Sequence, residues 1–320
     1  MSDTQITNAE QWIQEGISEL EVRRRRWLSW FLAAWGTTVG IVAISYCLFQ
    51  GTSLDDRVWL AWAAVSVIGL VILFSMAGGK GSDFRRQFDC WRERVIRGID
   101  DQAEFSPTGC VAQDVFDSSC LNKGYYNKYA GDSHLAIGNI QASNLSVKHV
   151  YQETYYETVT ETDGQGRTTS RQVARTRTVV VPVYDGLFLL IPARLAHSGA
   201  VLLRHREAGI PKEMKSLRVA DPHLNKHYAI GASDSFVGHR AMTPTLMEAL
   251  WDFGLQFKNR PGYSYRDDQL FIAIPNFRIS YGQSPGKWTG VTTGKLRKII
   301  DSCESSIHFL KATAERLQPT

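Results

Sequence analysis

Two long apolar runs without a charged side chain constrain the fold of this chain more than any other feature. The first covers residues 27–49 (WLSWFLAAWGTTVGIVAISYCLF) and the second covers residues 58–76 (VWLAWAAVSVIGLVILFSM). At about 1.5 Å per helical residue, each run is roughly as long as the ~30 Å hydrocarbon core of a bilayer is thick. The sequence therefore predicts a two-helix transmembrane hairpin over residues 27–76.

Two alternatives account less well for these runs. Buried helices of a soluble core rarely supply two uncharged stretches of this length so close together. A cleaved signal peptide has a shorter apolar region, and no second run follows it closely. A membrane anchor is therefore the preferred interpretation.

Basic residues flank the hairpin on its outer side. The connection between the runs, residues 50–57 (QGTSLDDR), carries two acids and one base. Because positive charge is retained in the cytoplasm, this asymmetry predicts that both termini are cytoplasmic. The residues predicted to mark the membrane boundary are Arg23, Arg24, Arg25, Arg26, Lys80, Arg85 and Arg86.

The cysteines are consistent with a reducing compartment. Their number is odd, and no two form a CxxC pair. Free thiols in the cytosol are the simplest interpretation, because a disulfide framework requires paired cysteines in an oxidising environment. The five cysteines are Cys47, Cys90, Cys110, Cys120 and Cys303.

Two amphipathic helices are predicted beside the anchor. Residues 1–26 repeat apolar side chains at helical spacing, so this cytoplasmic helix could lie on the bilayer, pack on the soluble domain or pair with another copy. Residues 77–104 form a basic juxtamembrane helix. Such a helix could bind anionic lipid headgroups, at about 1 kcal/mol per basic residue, or present a solvated face while packing on the domain.

The remaining residues, 105–320, predict a cytoplasmic α+β domain. Two strand-like runs around a Gly-rich turn (DGQG, 163–166) indicate an extended β-hairpin near residues 143–192. One arm carries glutamates and the other carries arginines, a pattern that cross-strand ion pairs explain without nucleic acid. The acids are Glu153, Glu157, Glu161 and Asp163, and the bases are Arg167, Arg171, Arg175 and Arg177.

Helices are predicted toward the end of the domain. Thr243 is suited to be an N-cap and Pro244 a first helical residue, so a helix should begin there. Residues 293–317 show the apolar spacing of a final amphipathic helix. Strands followed by packed helices favour a mostly antiparallel sheet, and a pleckstrin-homology-like arrangement would suit this order.

Four stretches together resemble the bacterial DUF3137 family: YAGDSHLAIGNIQASNLSV, VYDGLFLLIPA, ADPHLNKHYAIGASDSFVGHRAMTPTLMEALWDF and DDQLFIAIP. The resemblance covers about residues 105–317, and it implies N-terminal membrane spans followed by a domain with this element order. It also implies a bacterial inner-membrane location and association with other small membrane proteins, but no activity. The charged hairpin is longer than the family pattern, and Ser235 replaces a longer polar residue.

No catalytic motif emerges. His223 and His227 are four residues apart, but Leu224 stands where a metalloprotease needs glutamate, so surface histidines are the preferred interpretation. Asp267 and Asp268 are adjacent and predict a turn. The sequence therefore predicts no enzymatic activity, no cofactor and no metal.

Three polar residues are the best candidates for a specific structural role: Asp132, Asp234 and Arg240. Asp234 and Arg240 are predicted to form a buried ion pair that anchors the helix near Thr243, because charged residues in a core are usually paired.

Two functions remain open from the sequence. The first is a membrane-anchored scaffold or adaptor whose α+β domain binds a partner protein or the membrane surface. The second is a ligand-sensing effector whose spans oligomerise and permeabilise the membrane, and Gly36 and Gly40 form a GxxxG pair that suits close helix packing. The expected partners are anionic lipids, an unidentified protein and another copy of the chain, and nucleic acid is not expected.

Overall fold

The computed structural model describes residues 3–51, 56–122, 124–162, 164, 168–193, 199–282, 284–285 and 289–317. The chain divides into two compact units. The helical unit comprises Met1–Asp101 and Ser280–Ser306, and the sheet unit comprises Gln102–Ile279 and Ile307–Thr320. Residues 280–306 therefore depart from the domain predicted over 105–320.

The helical unit consists of two long helices and the first part of the last helix. These are α1 (Asp3–Gly51), α2 (Asp56–Ile99) and α7 (Thr293–Leu317). Helix α1 runs without a break through the position where an N-terminal helix was predicted to meet the first span. Helix α2 likewise continues from the second span into the basic segment.

At the end away from the predicted spans, the helical unit has a packed apolar core. The side chains buried there are Ala9, Ile13 and Leu20 of α1, Phe84, Phe88, Trp91 and Val95 of α2, and Leu296, Ile299, Ile300 and Cys303 of α7. The indole Nε1 of Trp91 donates a hydrogen bond to the carbonyl of Trp12 at 3.0 Å. The apolar stripe of α7 thus explains why residues 280–306 belong to this unit.

Farther along both helices the burial pattern reverses. Large apolar side chains on the predicted spans are exposed: Leu32, Trp35, Val39, Val42, Ile44 and Tyr46 on α1, and Val67, Ile68, Val71, Ile72, Phe74 and Met76 on α2. Among the described residues, two helical segments, Asn8–Tyr46 and Ser66–Ile99, are long and apolar enough to cross a membrane.

The sheet unit contains an open antiparallel sheet of nine strands among the described residues, in the order β1-β2-β3-β4-β9-β8-β5-β7-β6. The strands are β1 (Ala103–Ser106), β2 (Lys128–Ile137), β3 (Ile140–Thr162), β4 (Thr168–Pro192), β5 (Val201–His205), β6 (Lys215–Ser216), β7 (Tyr228–Ala232), β8 (Gly262–Arg266) and β9 (Gln269–Pro275). The helices are α3 (Gln113–Ser118), α4 (Pro222–His227), α5 (Ser235–Ala241) and α6 (Pro244–Gly254), with the end of α7. The predicted α+β class is confirmed.

Local sequence signals set several of these elements. The hydroxyl of Thr243 accepts a hydrogen bond from the N–H of Leu246, and Pro244 occupies the first turn of α6, as predicted. Asp267 and Asp268 both have positive φ, 52° and 57°, in the two-residue turn between β8 and β9. That geometry matches a type I′ turn, which suits the twist of a β-hairpin.

Phe116 of α3 lies at the centre of an aromatic core on one face of the sheet. Its ring centroid is 5.2 Å from that of Phe188 and 5.7 Å from that of Tyr184. Leu145 and Val147 of β3 are fully buried in the same cluster. This core fixes the root of the long β3–β4 hairpin.

Candidate functional site

The far end of the β3–β4 hairpin extends beyond the sheet. Strand β2 pairs with β3 only as far as Lys148, and β9 pairs with β4 only from Gly186 onward. Among the described residues, 149–162 and 168–181 form strand pairs only with each other, although the Val150 backbone also exchanges two hydrogen bonds with the Asn127 side chain. We call this segment the ribbon.

Gly186 lies where the ribbon joins the sheet. A Cβ atom at this position would come within 2.2 Å of the carbonyl oxygen of Ile274 on the neighbouring strand β9. Only glycine permits so close an approach of two backbones. Glycine is therefore required at position 186 for a steric reason.

One face of the ribbon holds all of its described charges. Three cross-strand ion pairs follow one another along it, Glu153–Arg177 at 2.7 Å, Glu157–Arg175 at 2.5 Å and Glu161–Arg171 at 2.7 Å. The predicted charge pairing is confirmed for these residues, whereas Asp163 and Arg167 lie outside the described residues. Because these pairs are exposed, each stabilises the ribbon little. We call this the charged face.

The opposite face of the ribbon carries no charged residue among those described. Side chains alternate between the two faces of a strand, so the even-numbered residues share it. From residue 152 to 160 and from 168 to 180 the described side chains of this face are exposed: Gln152, Thr154, Tyr156, Thr158 and Thr160 on β3, and Thr168, Ser170, Gln172, Ala174, Thr176, Thr178 and Val180 on β4. Val150, at the root of the ribbon, is half-buried. We call this the uncharged face. The separation of charged and uncharged residues can be read from the sequence once the strand register is known.

The basic residues predicted to mark the membrane boundary fall into two groups. Arg24 is largely buried and pairs with Glu21 at 2.5 Å. The side chains of Arg23, Arg25, Arg26, Arg85 and Arg86 are exposed. The side chain of Lys80 lies outside the described residues. The exposed arginines lie close in sequence to the points where the exposed apolar surface of each helix begins.

Asp132 takes part in a polar network that joins β2, β3 and the segment after β9. Asn144, which is 4% exposed, donates to Asp132 at 3.1 Å and exchanges two hydrogen bonds with the backbone of Ile279. Arg278 donates to Asp132 at 3.3 Å and to Asp185 at 2.9 Å. Sequence reasoning missed Asn144 and Arg278, because no local pattern links residues 135 positions apart.

The predicted buried ion pair between Asp234 and Arg240 is wrong. The carboxylate of Asp234 is 53% exposed and lies 3.9 Å from Lys215. It also accepts a hydrogen bond from the N–H of Phe236, so it caps α5. Arg240 is exposed on the same short helix. The Asp234 carboxylate thus binds the first turn of α5 and not Arg240, and the sequence pattern alone did not distinguish these two roles.

His223 and His227 lie on one face of α4, and both contact Trp251. Their ring centroids are 5.2 and 5.6 Å from that of Trp251, and the guanidinium of Arg260 lies 4.2 Å from it. No group of three potential metal ligands occurs within the described residues.

A cleft of about 660 Å³ opens beside β7 and α4. Arg206, Arg218 and Lys226 contribute charge to its lining, and the described lining contains no carboxylate. The charged side chains of its described lining are therefore all basic.

Comparison with known proteins gives one match. The model of DUF3137, a protein family of unknown function, matches residues 171–309. No curated protein and no solved structure matches the chain, so the suggested pleckstrin-homology-like arrangement stays a prediction. Asp132 lies outside the matched range, whereas Asp234 and Arg240 lie inside it. The match confirms the resemblance to the DUF3137 family over residues 171–309 of the expected range 105–317.

Proposed function

We propose that this chain is a scaffold or adaptor anchored in the bacterial inner membrane, with both termini in the cytoplasm. Its sheet unit binds a partner protein through the ribbon. The observation that carries this proposal is the ribbon itself, since a two-stranded hairpin with open edges and an exposed face contributes little to the core. Open strand edges and flat strand faces are common binding surfaces.

The anchoring part of the proposal rests on where apolar side chains are exposed. Val39 is 61% exposed and Val71 is 60% exposed, each within a run of similar neighbours. Apolar surface of this extent is unfavourable in water, whereas hydrocarbon accommodates it. The exposed arginines beside these runs suit contact with anionic headgroups, which supports lipids as partners.

Shortening the ribbon tests its role in recognition. Residues 152–178 are replaced by Asn-Gly, which joins the paired residues Tyr151 and Val179 through a two-residue turn. The full chain and this variant are each captured from native membranes after cross-linking. We expect a protein that co-purifies with the full chain to be absent from the variant. Recovery of the same proteins with both chains would contradict the proposal.

A membrane-permeabilising effector is the other candidate. A Cβ atom at Gly36 or Gly40 would meet no described atom within 4 Å, so this surface of α1 is open to another helix. Ion flux through liposomes that contain the purified chain separates the two functions. A scaffold gives no flux above that of empty liposomes, with or without cell extract, whereas sustained flux would favour the effector.

A further inference from the structure

We infer that the uncharged face of the ribbon binds the same face of a second copy of this chain. The inference rests on the proposed function, because it names the partner of the proposed binding surface and requires the anchor to bring copies together. The two faces of the ribbon differ in how their charges are distributed.

The charged face satisfies its own charges. Its three glutamates and three arginines are matched in cross-strand pairs, and the guanidinium of Arg177 also lies 5.5 Å from the ring centroid of Tyr155. A charged partner would have to compete with these internal contacts. The charged face therefore needs no charged partner and can remain exposed to water.

Within the described part of the ribbon, no ion pair lies on the uncharged face, and its side chains from Gln152 to Thr160 and from Thr168 to Val180 are exposed. Tyr156, near its middle, is 70% exposed. Thr154 and Thr158 flank it on the same strand, and Ala174 is paired with it on the other. β-Branched threonine loses little side-chain freedom when it is covered, and an exposed tyrosine is a frequent anchor of interfaces. A charged partner would lose hydration here without gaining a counter-charge.

A second copy meets these requirements better than a charged macromolecule. Two uncharged faces related by a two-fold axis contact each other without like-charge repulsion, and each row of side chains meets an equivalent row. Threonine and glutamine side chains both donate and accept hydrogen bonds, so either face can satisfy the other.

The size of the face sets the strength of the contact. The β4 side, from Thr168 to Thr178, extends ~37 Å at about 3.4 Å per residue, and two strands present a face roughly 10 Å wide. Each copy would then bury about 400 Å², half of the ~800 Å² per partner of a standard stable interface. Association should therefore be weak in dilute detergent and populated where anchoring concentrates the copies.

Cysteine cross-linking of the full chain in membranes tests the contact. The ribbon contains no native cysteine, so Thr158→Cys adds one to the uncharged face and Val159→Cys adds one to the charged face. A short bifunctional maleimide should link Thr158→Cys copies into dimers several-fold above the wild-type background. Val159→Cys, after correction for its labelling by a monofunctional maleimide, should stay near background. Equal cross-linking of both positions, or none at position 158, would overturn the inference.

Charge substitution gives a second and independent test. Thr154 and Thr176 are directly paired, so both are changed to lysine in one chain and to glutamate in another, each also carrying Thr158→Cys. Each chain alone should lose most of its dimer, and co-expression of the two should restore it. Lysine-bearing copies that cross-link as strongly as the parent would contradict the inference.

The outcome also separates this inference from the proposed function. If position 158 links only to a different protein, the second copy is not the partner, and the scaffold function stands. If shortening the ribbon leaves capture unchanged as well, the proposed function fails.

Discussion

At the scale of single residues, His134 couples the sheet unit to pH. Its Nδ1 lies 2.8 Å from the hydroxyl of buried Ser143, which also accepts a hydrogen bond from the N–H of Val111 at 3.0 Å. The Nδ1 of a neutral imidazole can accept a hydrogen bond from the Ser143 hydroxyl, whereas a protonated imidazole carries a hydrogen on each ring nitrogen and cannot accept one. Burial lowers the pKa of His134 from its ordinary value near 6.5.

We therefore expect the unfolding temperature of the purified chain in detergent to fall as the pH drops below 6.5. The unfolded chain binds the His134 proton more readily than the folded chain, so this stabilisation is present above that pH and is lost as the pH falls through the folded pKa. His134→Gln should flatten the dependence between pH 7.5 and 5.5. His308→Gln changes an exposed histidine on α7 and serves as the control. Identical slopes for wild type and His134→Gln would contradict this account.

At the scale of elements, local chemistry predicts much of the secondary structure. The cap at Thr243 and the stripe of the final helix are contained in a few consecutive residues, and that helix has the predicted bounds, Thr293–Leu317. The extended hairpin predicted near residues 143–192 is present as β3 and β4, but the length of the ribbon is harder to predict. Its projection depends on where β2 and β9 stop pairing, which no residue of the ribbon encodes. The uncharged face can serve as a binding surface only because this part of the hairpin extends beyond the neighbouring strands.

The packing of α1 against α2 provides an element-scale prediction. A Cβ atom at Gly16 would come within 2.8 Å of Trp91 Nε1 and within 2.9 Å of a Leu296 methyl group. Trp91 is 1% exposed and hydrogen-bonded to the backbone, so it cannot shift freely. Gly16→Val should therefore destabilise the helical unit by about 1–3 kcal/mol, the usual cost of overpacking.

Thermal loss of helical circular dichroism in detergent measures this effect. Gly36→Val is the matched control, since it makes the same change on the same helix where no described atom lies within 4 Å. Similar losses for both variants would show that helix propensity, and not the contact with Trp91, is responsible.

At the scale of the whole molecule, the exposed apolar surface predicts where the chain resides. Val39→Arg combined with Val71→Arg places two charges within the predicted spans. Each arginine at the centre of a span costs about 2.5–3.5 kcal/mol on the insertion scale. The double variant should disappear from the carbonate-resistant membrane fraction, whereas the control with leucine at both positions should remain there. Unchanged fractionation of the arginine variant would show that Val39 and Val71 lie in water and not in the membrane.

The unbroken course of α1 has a mechanical consequence. Because the backbone is helical from Asp3 to Gly51, one continuous helix connects the packed end of α1 with its exposed apolar end. The helix then acts as a lever. With the anchoring proposed above, we expect a tilt of the segment beyond Trp27 in the bilayer to change the contact between Gly16 and Trp91.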